Sequence, residues 1–284
     1  MPQTIQIQAD WAQTDSTQID FIKNKPVFYE EWWGTQAEYD AILVKDPDII
    51  YNIIYEEPQV DYFYVEDISG SDNTLSIKKG FSDSPTIEVF KSTDCINWTS
   101  MGNTDTTPIT ATVPANSKLY LKATTNNWGG SKWSRLGCNA AFNIGGCVMS
   151  LLAGDNFENA QIGTDGLRGL FGANTYLTNA QDLILPNNVA SNCFRGMFDN
   201  CTGLITAPTL TVSTLVNSCY YQMFNGCSSL TSIVTYAQDI SATNCLYNWL
   251  SGVAAQGDFY NLGGATYESG SSGIPSGWTE HNSL

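Results

Sequence analysis

Few residues of this chain could carry out chemistry. It has eight cysteines and a single histidine, His281. Nucleophilic triads place a histidine between a nucleophile and a carboxylate, and one histidine near the end of the sequence is a poor basis for one. G-x-S-x-G, phosphate-loop and dinucleotide motifs are absent. We therefore expect no enzyme activity and no cofactor. Two carboxylates far apart in sequence could still hydrolyse a glycan, so a glycan-cleaving enzyme stays open as an alternative.

The cysteines could bind a metal, form disulfides or pack as small side chains. Cys193 and Cys201 form one pair, and Cys219 and Cys227 form another. Neither pair has the short spacing of zinc ligands, so we predict no metal site. Eight cysteines in 284 residues are too sparse for a disulfide scaffold. Burial as small apolar thiols is the interpretation that the spacing favours.

These cysteines belong to a sequence repeat. "CFRGMFDNCTGL" begins at Cys193, "CYYQMFNGCSSL" begins 26 residues later, and a worn copy begins at Cys245 after the same step. Apolar residues at every fourth position of "CFRGMFDNC" predict a short helical turn, and "LITAPTL" and "LTSIVTY" predict one strand per repeat. A fixed period of this kind indicates stacked repeats. We predict a leucine-rich-repeat-like solenoid over residues 137–284.

"MFDNCTGL" and "MFNGCSSL" resemble the BspA-type leucine-rich repeat family. The resemblance implies an adhesion domain that binds a host surface glycan or protein. Sugar recognition favours exposed aromatic rings, and Tyr260 and Tyr267 lie in the glycine-rich "DFYNLGGATYESGSSG". We take these two tyrosines as the candidate ligand-binding residues, and we expect Trp249 and Trp278 to cap the repeat core.

The N-terminal segment carries apolar anchors on a polar background. "QADWAQTDSTQIDFIKNKP" is too short to build its own core, so its apolar side chains gain stability by burial against another chain. It resembles the attachment motif of phage fibre proteins, including the head-fibre family of short-tailed phages. That resemblance implies a homotrimer fixed to a capsid or other virion protein through Trp11, Phe21, Ile22, Lys25 and Pro26. The alternative is that these residues cap the next domain.

Two further modules are expected between the attachment segment and the repeats. "WWGTQAEYDAILVKDPDIIYNIIYEE" resembles a small module of virion structural proteins, with a capping box at Thr35 and a β-branched strand after it. Alternating segments between residues 60 and 136 predict a β-sandwich, and "EVFKSTDCINWTSM" resembles a hairpin of immunoglobulin-like modules. The predicted organisation is mainly β and modular: attachment segment 1–30, helix–strand module 31–59, sandwich 60–136 and solenoid 137–284.

Charge and hydropathy restrict the partners. The formal net charge is −16, and residues 137–284 hold nine acidic and two basic residues. Nucleic-acid binding depends on lysine and arginine to neutralise phosphates, so we expect no nucleic-acid partner. Apolar runs are shorter than the roughly 20 residues of a spanning helix, and the start of the chain resembles no signal peptide. We expect no membrane insertion, and we expect assembly into a virion in the host cytoplasm.

These observations lead to one main hypothesis and two alternatives. The main hypothesis is a trimeric phage head fibre that is anchored by its N-terminal segment and displays a C-terminal adhesion domain. The first alternative is a tail fibre or receptor-binding protein, with or without glycan depolymerase activity. The second is a BspA-like bacterial surface adhesin.

Overall fold

The computed structural model describes residues 30–34, 49–53, 62–78, 86–105, 107–125, 128 and 136–284. The chain divides into two compact units, Met1–Val60 and Asp61–Leu284. The candidate attachment residues lie outside the described ranges; they are Trp11, Phe21, Ile22, Lys25 and Pro26.

The described residues of the first unit form a pair of parallel strands. Strand β1 (Glu30–Gly34) pairs with β2 (Ile49–Ile53) over five residues, with Glu30 opposite Ile49. Strand β2 lies in the β-branched stretch for which the sequence predicts a strand. Parallel neighbours need a crossover connection rather than a tight turn. The connecting residues 35–48, with the predicted helix at Thr35, lie outside the described residues.

The second unit begins with short strands that form two sheets. Four of them fall where the sequence alternation predicts strands: β4 (Asn73–Ile77), β5 (Glu88–Ser92), β7 (Ile109–Val113) and β8 (Lys118–Ala123). The others are β3 (Tyr64–Asp67), β6 (Thr99–Asn103), β9 (Leu136–Cys138) and β10 (Phe142–Cys147). One sheet has the order β6–β5–β8–β3–β10 and the other β7–β4–β9. The mainly β class is confirmed.

Strand β10 joins this part of the unit to the repeats. It is antiparallel to β3 on one side and parallel to β11 (Leu177–Asn179) and β12 (Leu183–Ile184) on the other. Between β10 and β11 lie a four-residue helix, Ser150–Ala153, and a 3-10 helix, Gly154–Asn159. Strand β9 crosses the expected boundary between residues 136 and 137 and β10 follows it, yet both pair with strands that precede it. The proposed division into four segments stays a prediction.

Parallel strands stack along the repeats. Strand β13 (Ser232–Thr235) pairs with β14 (Gly257–Asn261), which pairs with β15 (Trp278–His281). The "LITAPTL" stretch was expected to form a strand, but in the structure it makes only isolated bridges, at Thr206 and Leu210. Pro208 interrupts it, because proline has no backbone N–H to donate.

The predicted helical turn at "CFRGMFDNC" is wrong. The segment is a run of tight turns in which Asn192, Gly196 and Asn200 have φ near +60°, a conformation that ends an α-helix. Every second N–H group donates to a carbonyl oxygen of the same turn segment, as Met197 N–H does to Phe194 O at 3.0 Å. The others cross to the next repeat, as Phe198 N–H donates to Met223 O at 2.9 Å. An α-helix would use all these donors internally, and the repeats would lose this connection.

The repeat cysteines are buried and unpaired by disulfides. Five of them are at most 3% exposed: Cys193, Cys201, Cys219, Cys227 and Cys245. Burial raises the pKa of the Cys193 and Cys201 thiols to about 12. Two of the thiols also donate to the preceding repeat: Cys201 Sγ lies 3.1 Å from Phe171 O, and Cys227 Sγ lies 3.1 Å from Phe198 O. The cysteine therefore supplies a donor as well as a small apolar side chain.

None of the helices in the described part of the chain is long and apolar enough to cross a lipid bilayer.

One polar atom in the repeat core should cost stability. Tyr220 is buried, and its Oη has no hydrogen-bond partner among the described residues. Tyr220→Phe removes the desolvated hydroxyl and should raise the free energy of unfolding by about 1 kcal/mol. Urea unfolding measures the change. The matched control is Tyr62→Phe, which removes a hydroxyl that donates to Asp155 at 2.6 Å and should lower stability. A loss of stability in both variants would contradict the expectation.

Candidate functional site

Aromatic rings stack in two columns in the interior of the second unit and support the outer surface of the repeats. One column runs through Phe63, Phe171, Phe198 and Phe224, with centroid separations of 5.7, 5.4 and 5.3 Å. A second runs through Phe194, Tyr220, Trp249 and Tyr267, at 5.9, 6.2 and 6.2 Å. Each ring buries a large apolar area against its neighbour. The surface residues between these rings are therefore carried by a packed interior.

Tyr267 is part of this interior packing. Its ring stacks on Trp249 and meets Phe259 edge-on at 4.8 Å. Its hydroxyl lies 3.4 Å from Thr235 Oγ1, and burial raises its pKa to about 12. The second ligand-binding candidate from the sequence thus sits at the end of the second ring column.

Tyr260 occupies a different environment. It lies on β14 next to the buried Phe259, and successive side chains of a strand point to opposite faces. Its ring stacks on His281 at 4.8 Å, and His281 Nε2 lies 2.8 Å from Asp258 Oδ1. Because Tyr267 packs on the Phe259 side, the structure does not bring the two predicted tyrosines together. Their role in ligand binding stays a prediction.

The predicted capping tryptophans are both buried. Trp249 is 0% exposed and donates its ring N–H to Gly273 O at 3.0 Å. Trp278 donates to Ala254 O at 2.7 Å. Buried indole groups need such partners, so both rings are anchored in the last repeats.

The turn segments also carry a row of outward-facing side chains that the sequence analysis did not predict. Arg195, Tyr221 and Tyr247 stand at equivalent positions of three successive repeats, two residues after the first cysteine of each. The Arg195 guanidinium carbon lies 4.1 Å from the Tyr221 ring centroid. The Tyr221 and Tyr247 rings stack at 4.8 Å with an interplanar angle of 21°. We call these three residues the turn-face row.

The signal for this row was present in the repeat itself. Aligning the copies on their first cysteine places Arg195, Tyr221 and Tyr247 in one column. The buried positions of the repeat are predicted from this alignment, and the outward positions lie between them. Two of every four residues in a turn segment are buried, and the two residues between them face outward. The same period therefore identifies both the buried and the outward-facing positions.

The described residues offer little for metal chemistry. No group of three or more histidine, cysteine, aspartate or glutamate side chains among them could hold a metal ion. The contact between His281 and Asp258 lies at the surface, with the two side chains 37% and 53% exposed.

We expect the two tyrosines to differ in their contribution to stability. Tyr267→Ala removes the last ring of the second column and should lower the free energy of unfolding by about 2 to 4 kcal/mol. Tyr260→Ala removes a partly exposed ring and should cost less than about 1 kcal/mol. Urea unfolding of the two variants compares them directly. Equal losses would show that Tyr267 does not belong to the packed interior.

Comparison with known proteins gives one match. The family model of the phage tail tip domain matches residues 32–54, a short segment that contains all of β2 and most of β1. No curated protein and no solved structure matches the chain. The match supports a phage tail-related structural protein that is a component of the virion.

Proposed function

We propose that the protein is a fibre-like component of a phage tail that carries a host-binding repeat domain. The observation behind this proposal is the match of residues 32–54 to the phage tail tip domain. The stacked repeats of the second unit add an extended, rigid surface, which is the usual binding feature of repeat proteins. The sequence analysis placed a fibre on the head, with a tail fibre as the alternative. The family match favours the tail.

The repeats fit a leucine-rich-repeat-like solenoid in this proposal. The turn segments recur at a step of 26 residues, β13 and β14 pair in parallel at the same step, and backbone hydrogen bonds connect successive turn segments. A domain of this kind displays a long side surface at the end of a virion structure. The partner we propose for it is a glycan or protein of the host surface. The proposal gives the chain no catalytic role.

Labelling of particles tests the location. Phage particles that carry the chain with a C-terminal tag, treated with tag-specific gold, should show gold at the tail in electron micrographs. Untagged particles provide the control. Gold on the head would restore the head-fibre hypothesis, and a chain absent from purified particles would contradict a virion role altogether.

The N-terminal segment supports a second part of the proposal, a homotrimer. The sequence of this segment has apolar anchors and is too short to build its own core, so burial against other copies would stabilise it. Light scattering of the full-length chain should therefore give about three times the mass of one 31.0 kDa chain. Trp11→Ser with Phe21→Ser should shift the mass toward one chain. A monomer at micromolar concentration for the unchanged chain would contradict trimerisation without affecting the location on the tail.

A further inference from the structure

We propose that the turn-face row, Arg195, Tyr221 and Tyr247, binds an acidic polysaccharide. A uronic acid carboxylate pairs with Arg195, and a pyranose ring packs on Tyr247. This inference rests on the proposed host-binding function and specifies its site and ligand class. It names a surface different from the Tyr260 and Tyr267 positions indicated by the sequence.

Arg195 is a cation without a carboxylate partner. Residues 137–284 contain only two basic residues, Arg168 and Arg195. Arg168 pairs with Asp165 at 3.2 Å. No carboxylate in the described part of the chain lies within ion-pair distance of Arg195, whose Nη1 reaches only the side-chain oxygen of Asn192, at 3.4 Å. Since a guanidinium has five N–H donors, most of its hydrogen-bonding capacity is available to a ligand.

The neighbouring acid does not compete for this guanidinium. Asp199 is 4% exposed, and its Oδ1 accepts hydrogen bonds from the side-chain amides of Asn200 and Asn225 at 3.1 and 2.7 Å. Its charge is thus held inside an amide network. Arg195 itself is fixed against the Tyr221 ring, and a pre-positioned guanidinium suits bidentate pairing with a carboxylate.

Tyr247 offers an open aromatic face at the other end of the row. One side of its ring stacks on Tyr221, and no other described aromatic ring stacks on it. The side chain is 45% exposed. A tyrosine ring held by a neighbour provides a rigid apolar platform with a polar tip, at little cost in conformational entropy. The apolar face of a pyranose fits such a platform.

Polar groups surround this platform. Asn248 follows Tyr247, and its Oδ1 accepts a hydrogen bond from Ser271 Oγ at 3.0 Å. This contact orients the amide and leaves its N–H groups for ligand hydroxyls. Gln222, the equivalent residue of the preceding repeat, is also partly exposed. The row therefore combines a platform, amide donors and one cation, which are the groups needed for an acidic sugar.

The length of the row favours a polymer. Guanidinium and rings are spaced 4.1 and 4.8 Å apart across three successive repeats, so the two ends of the row cannot contact one carboxylate and one ring face of the same sugar. A chain that follows the repeat direction engages both ends, and linked contacts raise the overall affinity.

The face of β14 and β15 that carries Tyr260 and His281, the sheet face, offers a poorer site for the same ligand. Tyr260 already has one ring face against His281, and the carboxylate of Asp258, which lies on the same face of β14 as Tyr260, is in contact with that histidine. Acidic side chains repel an acidic polysaccharide. Both the local charge and the exposure of the aromatic rings therefore favour the turn-face row over the sheet face as the binding site.

Binding of the full-length chain to polygalacturonate tests the proposal, with the methyl-esterified polymer as the uncharged probe. Arg195→Gln removes the charge and keeps an unbranched polar side chain, and it should weaken polygalacturonate binding about tenfold or more. It should leave binding to the ester unchanged. Tyr247→Ala should weaken both. Tyr236→Ala, which removes another exposed ring (40% exposed), is the control and should change neither. Isothermal calorimetry measures the affinities, and thermal unfolding verifies that each variant folds.

The outcomes separate this inference from the proposed function. Failure of the unchanged chain to bind polygalacturonate, or equal binding by Arg195→Gln, would overturn the acidic-glycan site. If Tyr247→Ala did not fold, the Arg195→Gln comparison on the two polymers would still decide. Host-cell binding by the full-length chain tests adhesion separately. Cell binding that survives in Arg195→Gln and Tyr247→Ala would keep the adhesion function and reject this site, whereas no cell binding by the unchanged chain would reject adhesion itself.

Discussion

Backbone N–H groups that alternate in direction determine the architecture of the repeats. Within each turn segment, one N–H closes a tight turn and the next donates to the following repeat; Cys219 N–H donates to Val216 O and Tyr220 N–H to Cys245 O. Buried backbone donors must be paired, and this pattern pairs them without a helix. The residues with positive φ recur every fourth position to keep the alternation in phase, as at Ser218 and Gln222.

The side chains follow from that backbone. A period of four with two inward and two outward residues places the Met–Phe pair inside and aligns equivalent residues of successive repeats. Inside, alignment produces ring columns such as Phe198 on Phe224. Outside, it produces stacks such as Tyr221 on Tyr247. The same hydrogen-bond ladder that joins the repeats therefore also arranges their exposed residues in rows, and a row is suited to an extended ligand.

Sequence reasoning reached the repeat period, the buried repeat cysteines and several of the strands, because each depends on local pattern. It failed for the turn segment, where apolar residues every fourth position were read as a helix. Periodicity reports which side chains are buried, but it does not report where the N–H groups donate. The row at Arg195 was likewise overlooked, since an arginine and two tyrosines in separate copies become neighbours only when the copies stack.

The connection at β10 has a consequence for how binding at the repeats would be transmitted. This strand belongs at once to an antiparallel pairing with β3 and to a parallel pairing with β11. Phe63, the residue before β3, starts the ring column that continues through Phe171. Backbone hydrogen bonds and ring packing thus cross from the first strands of the second unit into the repeats along two independent routes. A load applied at the repeat surface would be carried into these strands by both routes, which would suit the host-binding role that we propose.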